Sequence, residues 1–333
     1  MRSENLILEM IPTDFDVIQI DSDEDVTLFG AERKGLFHFV RYEAGSGVSQ
    51  YHIPHYLIAH AISRNEQEHL YTLPNGFGLM TRGNGQLAVV ICGECWLLDG
   101  SAGSMANRMF RAAEILNTSG KRVVSENGVY TVAGAKTQGG NPVSSKSRLL
   151  MEGIAFEWSL LRRLSAKQFG LYSALCTHRD FPCALDKKSC LKGMLENDFE
   201  FYEANPPSED FVRVAMAVQD SLMGCRVWEP GAHMPIKQAV GALAAALSKL
   251  DPVQRTQMVL LNGMHGGNVL LHLAVLTRMV TFEYYTQFRT AEYQPDSEDE
   301  QWIRSTASYI QLFGDLGRAE STQLFGDLDR AES

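Results

Sequence analysis

The chain has 333 residues, 45% of them hydrophobic, so it is long enough for two domains and a buried core. No apolar run approaches the roughly 20 residues that a membrane helix needs, and the mixed-charge N-terminus lacks the pattern of a signal peptide. Six cysteines over this length do not make a disulfide framework, and the net charge of −10 disfavours indiscriminate binding to polyanions. We therefore expect a cytoplasmic protein with no membrane partner.

Strands are predicted for most of the first 143 residues, because β-branched and aromatic residues are grouped between Asp, Gly and Pro. Asn127-Gly128 suits the positive dihedral angles of a tight hairpin turn within residues 121–135. Two helices are expected to interrupt this region, one from Pro54 to about Ser63 and one after Ser104. The predicted strands outside the hairpin are Leu6–Ile11, Val17–Ile20, Leu36–Tyr42 and Leu87–Leu98.

Residues 137–145 are polar, rich in glycine and interrupted by proline, which indicates a domain boundary near residue 143. Helical spacing and capping residues dominate the rest of the chain. The sequence predicts an α+β fold with a strand-rich α+β domain (1–143), an all-α domain (144–310) and an acidic tail (311–333). The later helices are expected to begin at Ser165, Ser208 (ending at Gly224), Asp251-Pro252 (ending at Gly263), Asn268 (running to about Glu292) and Ser297 with Glu300.

The tail contains a duplicated motif. Gln311-Leu-Phe-Gly-Asp-Leu-Gly-Arg-Ala-Glu-Ser recurs as Gln323-Leu-Phe-Gly-Asp-Leu-Asp-Arg-Ala-Glu-Ser, and two such short copies do not form a solenoid. The motif is amphipathic, which predicts apolar anchors for a groove on a partner protein. The predicted partner-binding residues are Leu312, Phe313, Leu316, Leu324, Phe325 and Leu328.

Charge is unevenly distributed along the chain. Residues 1–104 carry 6 basic and 14 acidic side chains, residues 105–195 carry 14 and 6, and residues 196–333 carry 10 and 20. A basic block of net +8 therefore lies between acidic segments of −8 and −10. A cationic surface of this kind can bind the phosphates of RNA or DNA. The predicted nucleic-acid-binding residues are Arg108, Arg111, Lys121, Arg122, Lys146, Arg148, Arg162, Arg163 and Lys167.

Motifs for catalysis or metal binding are weak. Cys92 and Cys95 have the spacing of half a zinc site. The candidates for the other half are Cys176, His178, Cys183 and Cys190, but they include no second close pair. The glycine-rich loop Asn262–Asn268 has backbone N–H groups suited to an anion, although it lacks the Lys-Ser/Thr of a phosphate-binding loop. No Gly-x-Ser-x-Gly elbow is present, so catalytic residues stay unknown, and we predict neither a metal nor a cofactor.

Segregated charge and the doubled tail motif together favour a non-catalytic protein that self-assembles. We interpret the sequence as a homo-oligomeric shell, capsid-like or nucleoprotein-like subunit of viral or phage type, with RNA or DNA as a possible ligand. Two alternatives stay open. One is an enzyme with a pocket between the two domains, and the other is an adaptor that recruits a protein partner through its repeated tail motif.

Overall fold

Strands dominate the first part of the chain and helices the rest, which confirms the predicted α+β class. The computed structural model describes residues 18–22, 26–33, 36–44, 47–63, 70–72, 77–81, 86–98, 100, 104–119, 122–160, 170–198, 208–291, 293 and 297–318. The predicted strand Leu6–Ile11 and the predicted cap Ser165 lie outside these ranges. The division into domains at residue 143 stays a prediction.

Two antiparallel sheets of four strands each form the first part of the fold, and each sheet follows the order of the chain. A three-stranded sheet follows, with β10 in its centre, and a short hairpin lies among the later helices. The strands are β1 Ile18–Ser22, β2 Val26–Arg33, β3 Leu36–Glu43, β4 Gly47–Pro54, β5 Leu70–Thr72, β6 Gly78–Thr81, β7 Leu87–Ile91, β8 Glu94–Leu97, β9 Val123–Glu126, β10 Val129–Lys136, β11 Pro142–Ser145, β12 Trp228–Glu229 and β13 Ala232–His233.

Eleven helices are described, and most of them follow β11. Helices α1 and α2 pack against each other beside the sheets, whereas α11 packs against α4, α8, α10 and strand β4. The helices are α1 His55–Ser63, α2 Met105–Ser119, α3 Arg148–Leu160, α4 Leu171–Asp180, α5 Lys188–Glu196, α6 Glu209–Val218, α7 Ile236–Ser248, α8 Pro252–His265, α9 Val269–Leu276, α10 Phe282–Thr290 and α11 Glu298–Gly317. No helix within the described ranges is long and apolar enough to cross a membrane.

The hairpin predicted from Asn127-Gly128 is confirmed. Val129 pairs with Glu126, and the two turn residues have φ angles of 51° and 75°. An Asn-Gly pair tolerates these left-handed angles, so the turn sets the register of β9 against β10. Strands β2, β4, β5, β6, β11, β12 and β13 were not predicted. The single strand predicted over Leu87–Leu98 is two strands, β7 and β8, joined by a turn at Cys92 and Gly93.

Arg41 joins the two four-stranded sheets. Its guanidinium, 7% exposed, donates to both carboxylate oxygens of Glu94 on β8 at 2.9 and 3.0 Å and to Glu43 at 2.7 Å. Two-point contact between guanidinium and carboxylate fixes orientation as well as distance. The carboxylates hold the pKa of Arg41 above its usual value, so the charge persists at every physiological pH.

Hydrogen bonds hold the segment predicted as the domain boundary against α4. Asp180, at the end of α4, accepts hydrogen bonds from Thr137 Oγ1 at 2.6 Å, Gly139 N at 2.8 Å and Asn141 Nδ2 at 2.8 Å. These donors lower the pKa of Asp180. A Cβ at Gly139 would lie 2.7 Å from the Asp180 carboxyl group, so glycine makes this close approach possible. The turn between β10 and β11 is therefore held against the helical part of the chain.

Two predicted helix ends are wrong. The helix expected from Asn268 to Glu292 is broken into α9 and α10, because Arg278 adopts a left-handed conformation (φ 62°) and the N–H of Met279 bonds to the carbonyl of Ala274. This is a Schellman ending with arginine in the place that glycine usually takes. Helix α8 also continues through Gly263 to His265, so that glycine does not stop it.

Glu157 of α3 caps the N-terminus of α4. Its carboxylate accepts the N–H groups of Leu171 at 2.7 Å and Tyr172 at 3.0 Å, which have no partner within their own helix. Gly170, at the N-cap position, supplies no side chain for this purpose. Burial raises the pKa of Glu157 to about 7 in spite of these two donors. The carboxylate therefore replaces a local cap.

Replacing Glu157 by alanine is expected to lower the free energy of unfolding by about 2 kcal/mol, since two buried N–H groups lose their acceptor. Glu152 offers a matched control on the same helix. It caps no helix and pairs with the exposed Arg148 at 2.8 Å, so Glu152→Ala should cost less, about 1 kcal/mol. Urea denaturation of both variants measures the difference, and equal stabilities would refute the capping role.

Candidate functional site

A groove runs along α11 where the first sheet meets the helices. It consists of two adjoining cavities, of about 310 and 340 Å³, that share Phe282, Glu283 and Gln311 in their linings. We call it the α11 groove. The first cavity is also lined by Gln50, Tyr51, His52, Thr286, Gln287, Arg304, Ala307 and Ser308, and the second by Gln257, Val275, Leu276, Arg278, Val280, Thr281, Asp315 and Arg318.

Strand β4 presents its edge to the first cavity. Side chains of a strand alternate between the two faces of a sheet, yet the consecutive residues Gln50, Tyr51 and His52 all line this cavity. The cavity must therefore lie beside the strand rather than above one face. Within the described residues β4 pairs only with β3, so its other edge carries backbone groups without a neighbouring strand. Such an edge is a template for another extended chain.

Neutral and paired groups dominate the first cavity. The pKa of His52 is well below its ordinary value, first because the ring is buried and then because His38 and Arg304 disfavour a positive charge. The charge of Arg304 is matched by Glu300, one turn earlier on α11, at 2.7 Å. Glu283 is exposed at the junction of the two cavities. The cavity is therefore polar and nearly free of unbalanced charge.

The second cavity is more apolar and contains a buried acid. Burial raises the pKa of Asp315 to about 6, although Arg318 and Arg278 lower it. Arg318 also donates through Nε to the carbonyl of Gly314 at 2.9 Å, which holds its side chain along α11. The apolar part of the lining comes from the Schellman ending of α9 and the start of α10. The break that separates these two helices therefore creates the cavity.

Two of the hydroxyl groups that line the groove, those of Thr286 and Ser308, are bonded to carbonyl groups of their own helices, whereas the Tyr51 hydroxyl lies 3.3 Å from Cys92 Sγ. Thr286 donates to the carbonyl of Phe282 at 2.6 Å, and Ser308 donates to that of Arg304 at 2.9 Å. Each proton thus bonds to the helix that carries the hydroxyl, and not to a base. Among the described residues no group of His, Cys, Asp and Glu is arranged to hold a metal ion.

Five of the predicted nucleic-acid-binding residues are described, and two of them are paired. Arg108 lies 3.6 Å from Glu32, and Arg148 lies 2.8 Å from Glu152. Arg122 bonds to Ser159 at 3.4 Å, whereas Arg111 and Lys146 are exposed. The others lie outside the described residues: Lys121, Arg162, Arg163 and Lys167. The charge pattern therefore receives no support as an RNA or DNA interface.

The first copy of the predicted partner-binding motif belongs to α11. Leu312, Phe313 and Leu316 are 2%, 1% and 0% exposed, so their side chains pack in the core of this chain. They were predicted as anchors for a groove on a partner protein, but in the structure they pack against residues of their own chain. The second copy, with Leu324, Phe325 and Leu328, lies outside the described residues.

The glycine-rich loop between α8 and α9 already holds an anion from its own chain. Asp198, 1% exposed, accepts the N–H of Val269 at 2.6 Å, at the start of α9. The sequence correctly marked a helix N-terminus suited to negative charge. The cysteines considered for zinc lie on different elements: Cys92 is exposed on the turn between β7 and β8, Cys95 is exposed in β8, Cys183 is exposed after α4, and Cys176 is buried in α4.

Most residues of the α11 groove were not predicted as site residues from the sequence. Gln311, Asp315 and Arg318 belong to the duplicated motif, which the sequence predicts to be part of an acidic tail. Gln50 and Arg304 are brought together by packing of β4 against α11. No local pattern reports a contact between residues some 250 positions apart. The capping residue Thr281, which starts α10, was the one available signal.

The fold is thus an α+β chain whose first sheet borders a groove in a helical bundle. No family model and no curated protein matches the sequence. Two solved structures align with it: Atp12 from Paracoccus denitrificans and a mutant of P. denitrificans Atp12p. Each is 20% identical with a TM-score of 0.40 and covers 59% of this chain, and the alignments span 95% and 94% of those chains.

The interpretation as a viral or phage shell, capsid-like or nucleoprotein-like subunit is wrong. The two solved structures that align are both of Atp12, and neither is a viral structural protein. The described structure also shows why the charge argument misled. Cations of the basic block are matched by carboxylates of the same chain, as Arg108 is by Glu32, so they are not all available to another molecule.

Proposed function

We propose that the chain is a non-catalytic assembly factor, which binds an extended segment of a partner protein in the α11 groove. The observation that supports this proposal is the position of the first cavity against the edge of β4 that pairs with no other described strand. A partner segment can add to that edge through main-chain hydrogen bonds, while its side chains enter the cavities. Main-chain pairing supplies affinity, and the cavities supply selectivity.

The linings define the chemistry of the segment. The first cavity, with Gln50, Gln287 and Glu283, favours a polar side chain that can donate to a carboxylate. The second, with Val275 and Val280, favours an apolar one. Side chains on one face of an extended chain recur every second residue, about 7 Å apart. We therefore expect a segment in which a polar residue precedes or follows an apolar one by two positions.

The expected setting is a reducing compartment. All six cysteines are free, including the exposed Cys92, Cys95 and Cys183. Exposed thiols persist where glutathione keeps them reduced. The cytoplasm is the compartment that we propose, and a protein partner, rather than RNA, DNA or a second copy of the chain, is the ligand.

Photocrosslinking tests the proposal. A photoreactive amino acid in place of Gln287, which is exposed and lines the first cavity, should capture one partner protein in cells. Mass spectrometry of the product should locate the crosslink within one short segment of that partner. The matched control is Gln238, an exposed glutamine of α7 that lines neither cavity.

Glu283→Lys is the second test of the α11 groove. It reverses a charge at the junction of the two cavities, and because position 283 is exposed the new lysine is not buried. We expect it to weaken the crosslink at position 287 by about tenfold, the value of one charged hydrogen bond. A crosslink of equal yield at positions 287 and 238, or one that Glu283→Lys leaves unchanged, would contradict the proposal.

A further inference from the structure

The last turns of α11 fill a closely fitted site, which we call the motif seat. A Cβ at Gly314 would lie 2.1 Å from Gln257 Nε2 of α8, so only glycine fits beneath that side chain. Gln257 is fully buried, and its Nε2 donates to the backbone carbonyl of Ile310 at 2.8 Å. The seat therefore demands glycine at one position, next to a carbonyl that Gln257 can bond.

Apolar contacts and a basic residue complete the seat. Phe313 lies edge-on to His178 of α4, with 6.0 Å between ring centroids, and Leu312 and Leu316 are buried beside it. Arg318 reaches Asp251, the N-cap of α8, at 3.9 Å. The contacts thus select a Leu-Phe-Gly-x-Leu sequence followed two residues later by a cation.

The chain carries a second sequence that meets all of these demands. Residues 323–333 repeat residues 311–321 with one difference, Asp329 in place of Gly317. Gly326 repeats Gly314 and Phe325 repeats Phe313. The carbonyl needed by Gln257 belongs to Ile310, which precedes both copies and stays in α11 whichever copy is seated.

We propose that the second copy, residues 323–328, is an alternative occupant of the motif seat. It enters the seat of its own chain when residues 311–322 leave α11 as a loop of 12 residues. Gln323, Asp327 and Arg330 then take the positions of Gln311, Asp315 and Arg318. The second copy thus places the same residue types in the lining of the α11 groove. The exchange is therefore independent of the function proposed for that groove.

Two features make the first copy the resident one. Closing a loop of 12 residues disfavours the exchanged form by about 40-fold, and α11 is continuous only with the first copy in place. A Cβ at position 317 would lie 3.3 Å from Val253 Cγ1, so Asp329 fits this position less well than Gly317. An aspartate at the end of a helix also opposes the helix dipole. The first copy is therefore expected to occupy the motif seat in most molecules, and the second copy in few.

Substitutions in the full chain test the exchange. Phe325→Ala alone should leave the unfolding equilibrium constant unchanged, since the second copy is not resident. Phe313→Ala should raise the unfolding equilibrium constant, but by no more than the cost of the exchange, because the intact second copy can then take the seat. In the double variant both copies are defective, and the constant should exceed the product of the two single effects by about tenfold or more. Independent effects of the two substitutions would overturn the proposal.

Hydrogen exchange with mass spectrometry gives a readout that does not require a destabilised variant. The double swap Gly317→Asp with Asp329→Gly offsets part of the loop cost, so amide protection of residues 311–318 should fall and that of residues 323–330 should rise relative to the wild type. The wild-type chain should protect the first copy. Protection that stays at the first copy in the swapped chain would overturn the proposal, as would protection of the second copy that rises with protein concentration, because that indicates seating in another chain.

Discussion

Replacing Gly267 by alanine is expected to lower the free energy of unfolding by about 3 kcal/mol or more. A Cβ at this position would lie 2.0 Å from the carbonyl oxygen of Asn197 and 2.4 Å from the Cα of Asp198. Both are backbone atoms at the end of α5, so no side-chain rotation relieves the clash. The segments at residues 198 and 267 form a parallel bridge, and it must open.

Opening this bridge has a second cost. The carboxylate of Asp198 then moves away from the N–H of Val269, which it accepts at 2.6 Å. Every residue of α9 is buried, so its first N–H groups have no water to replace the carboxylate. A buried carboxylate that loses its donors is itself unfavourable. The steric and electrostatic effects therefore act in the same direction.

Gly263 is the matched control, because it lies in the same glycine-rich stretch. Nothing lies within 4 Å of a Cβ built there, and the residue is inside α8. Gly263→Ala should therefore stabilise the protein by about 0.5–1 kcal/mol, the usual preference of a helix for alanine over glycine. Urea denaturation of both variants checks the opposite signs. Destabilisation of the two by similar amounts would show that the close approach at Gly267 has no special role.

Local chemistry predicted several elements because it acts within a few residues. Ser297 accepts the N–H of Glu300 at 3.2 Å, as its capping sequence predicted. Asp251 and Gln254 form a complete capping box at the start of α8. Gly224, with φ of 68°, closes the turn that follows α6. In each case the residue type itself supplies the missing donor, acceptor or dihedral angle.

Tertiary contacts decided what the sequence did not reveal. Arg278 takes the left-handed position that ends α9, and nothing in its type indicates this. Helix α8 continues past Gly263 because its last residue, His265, is hydrogen-bonded to Tyr285 of α10 and Thr306 of α11. The candidate groove depends on the same level of structure, since it exists only where β4, α10 and α11 meet. A charge count along the chain cannot detect which charges are paired across it.

Acidification from pH 7 to pH 5 is expected to lower the free energy of unfolding by about 2–4 kcal/mol, because histidines are buried in their neutral form. Burial, with Arg289 nearby, lowers the pKa of His265 to about 3, and burial lowers that of His55 to about 4. The pKa values of His52 and His272 are also well below 6.5. Between these values and 6.5 the unfolded chain binds more protons than the folded one, so stability falls as the pH is lowered.

Three carboxyl groups act in the opposite direction, and one of them is Glu32, whose pKa is raised by burial. The pKa of Glu157 is raised to about 7 and that of Asp315 to about 6, so in this range the folded chain holds protons that the unfolded chain releases. They stabilise the folded state as the pH falls. Burial also lowers the pKa of His178, so five histidines oppose these three carboxyl groups and the net effect keeps the sign set by the histidines.

His265 is the histidine whose protonation is most disruptive. Thr306 donates to the carbonyl of Trp302, so it accepts the Nε2–H of His265, and Nδ1 must then accept from the hydroxyl of Tyr285 at 2.6 Å. The oxygen of that hydroxyl accepts in turn from Nε2 of His272 at 3.3 Å. A proton on Nδ1 of His265 places two donors face to face and breaks the chain of hydrogen bonds.

His265→Gln isolates this contribution, because an amide can accept from Tyr285 and donate to Thr306 without binding a proton. Between pH 6 and pH 5 the free energy of unfolding of this variant should depend on pH less steeply than that of the wild type, by about 1.4 kcal/mol per pH unit. The exposed His233→Gln should leave the slope unchanged. Urea titrations at half-unit steps of pH measure all three slopes. A slope for His265→Gln equal to that of the wild type would mean that His265 is not held neutral by the core, because the removal of a group that takes up a proton only on unfolding must flatten the pH dependence.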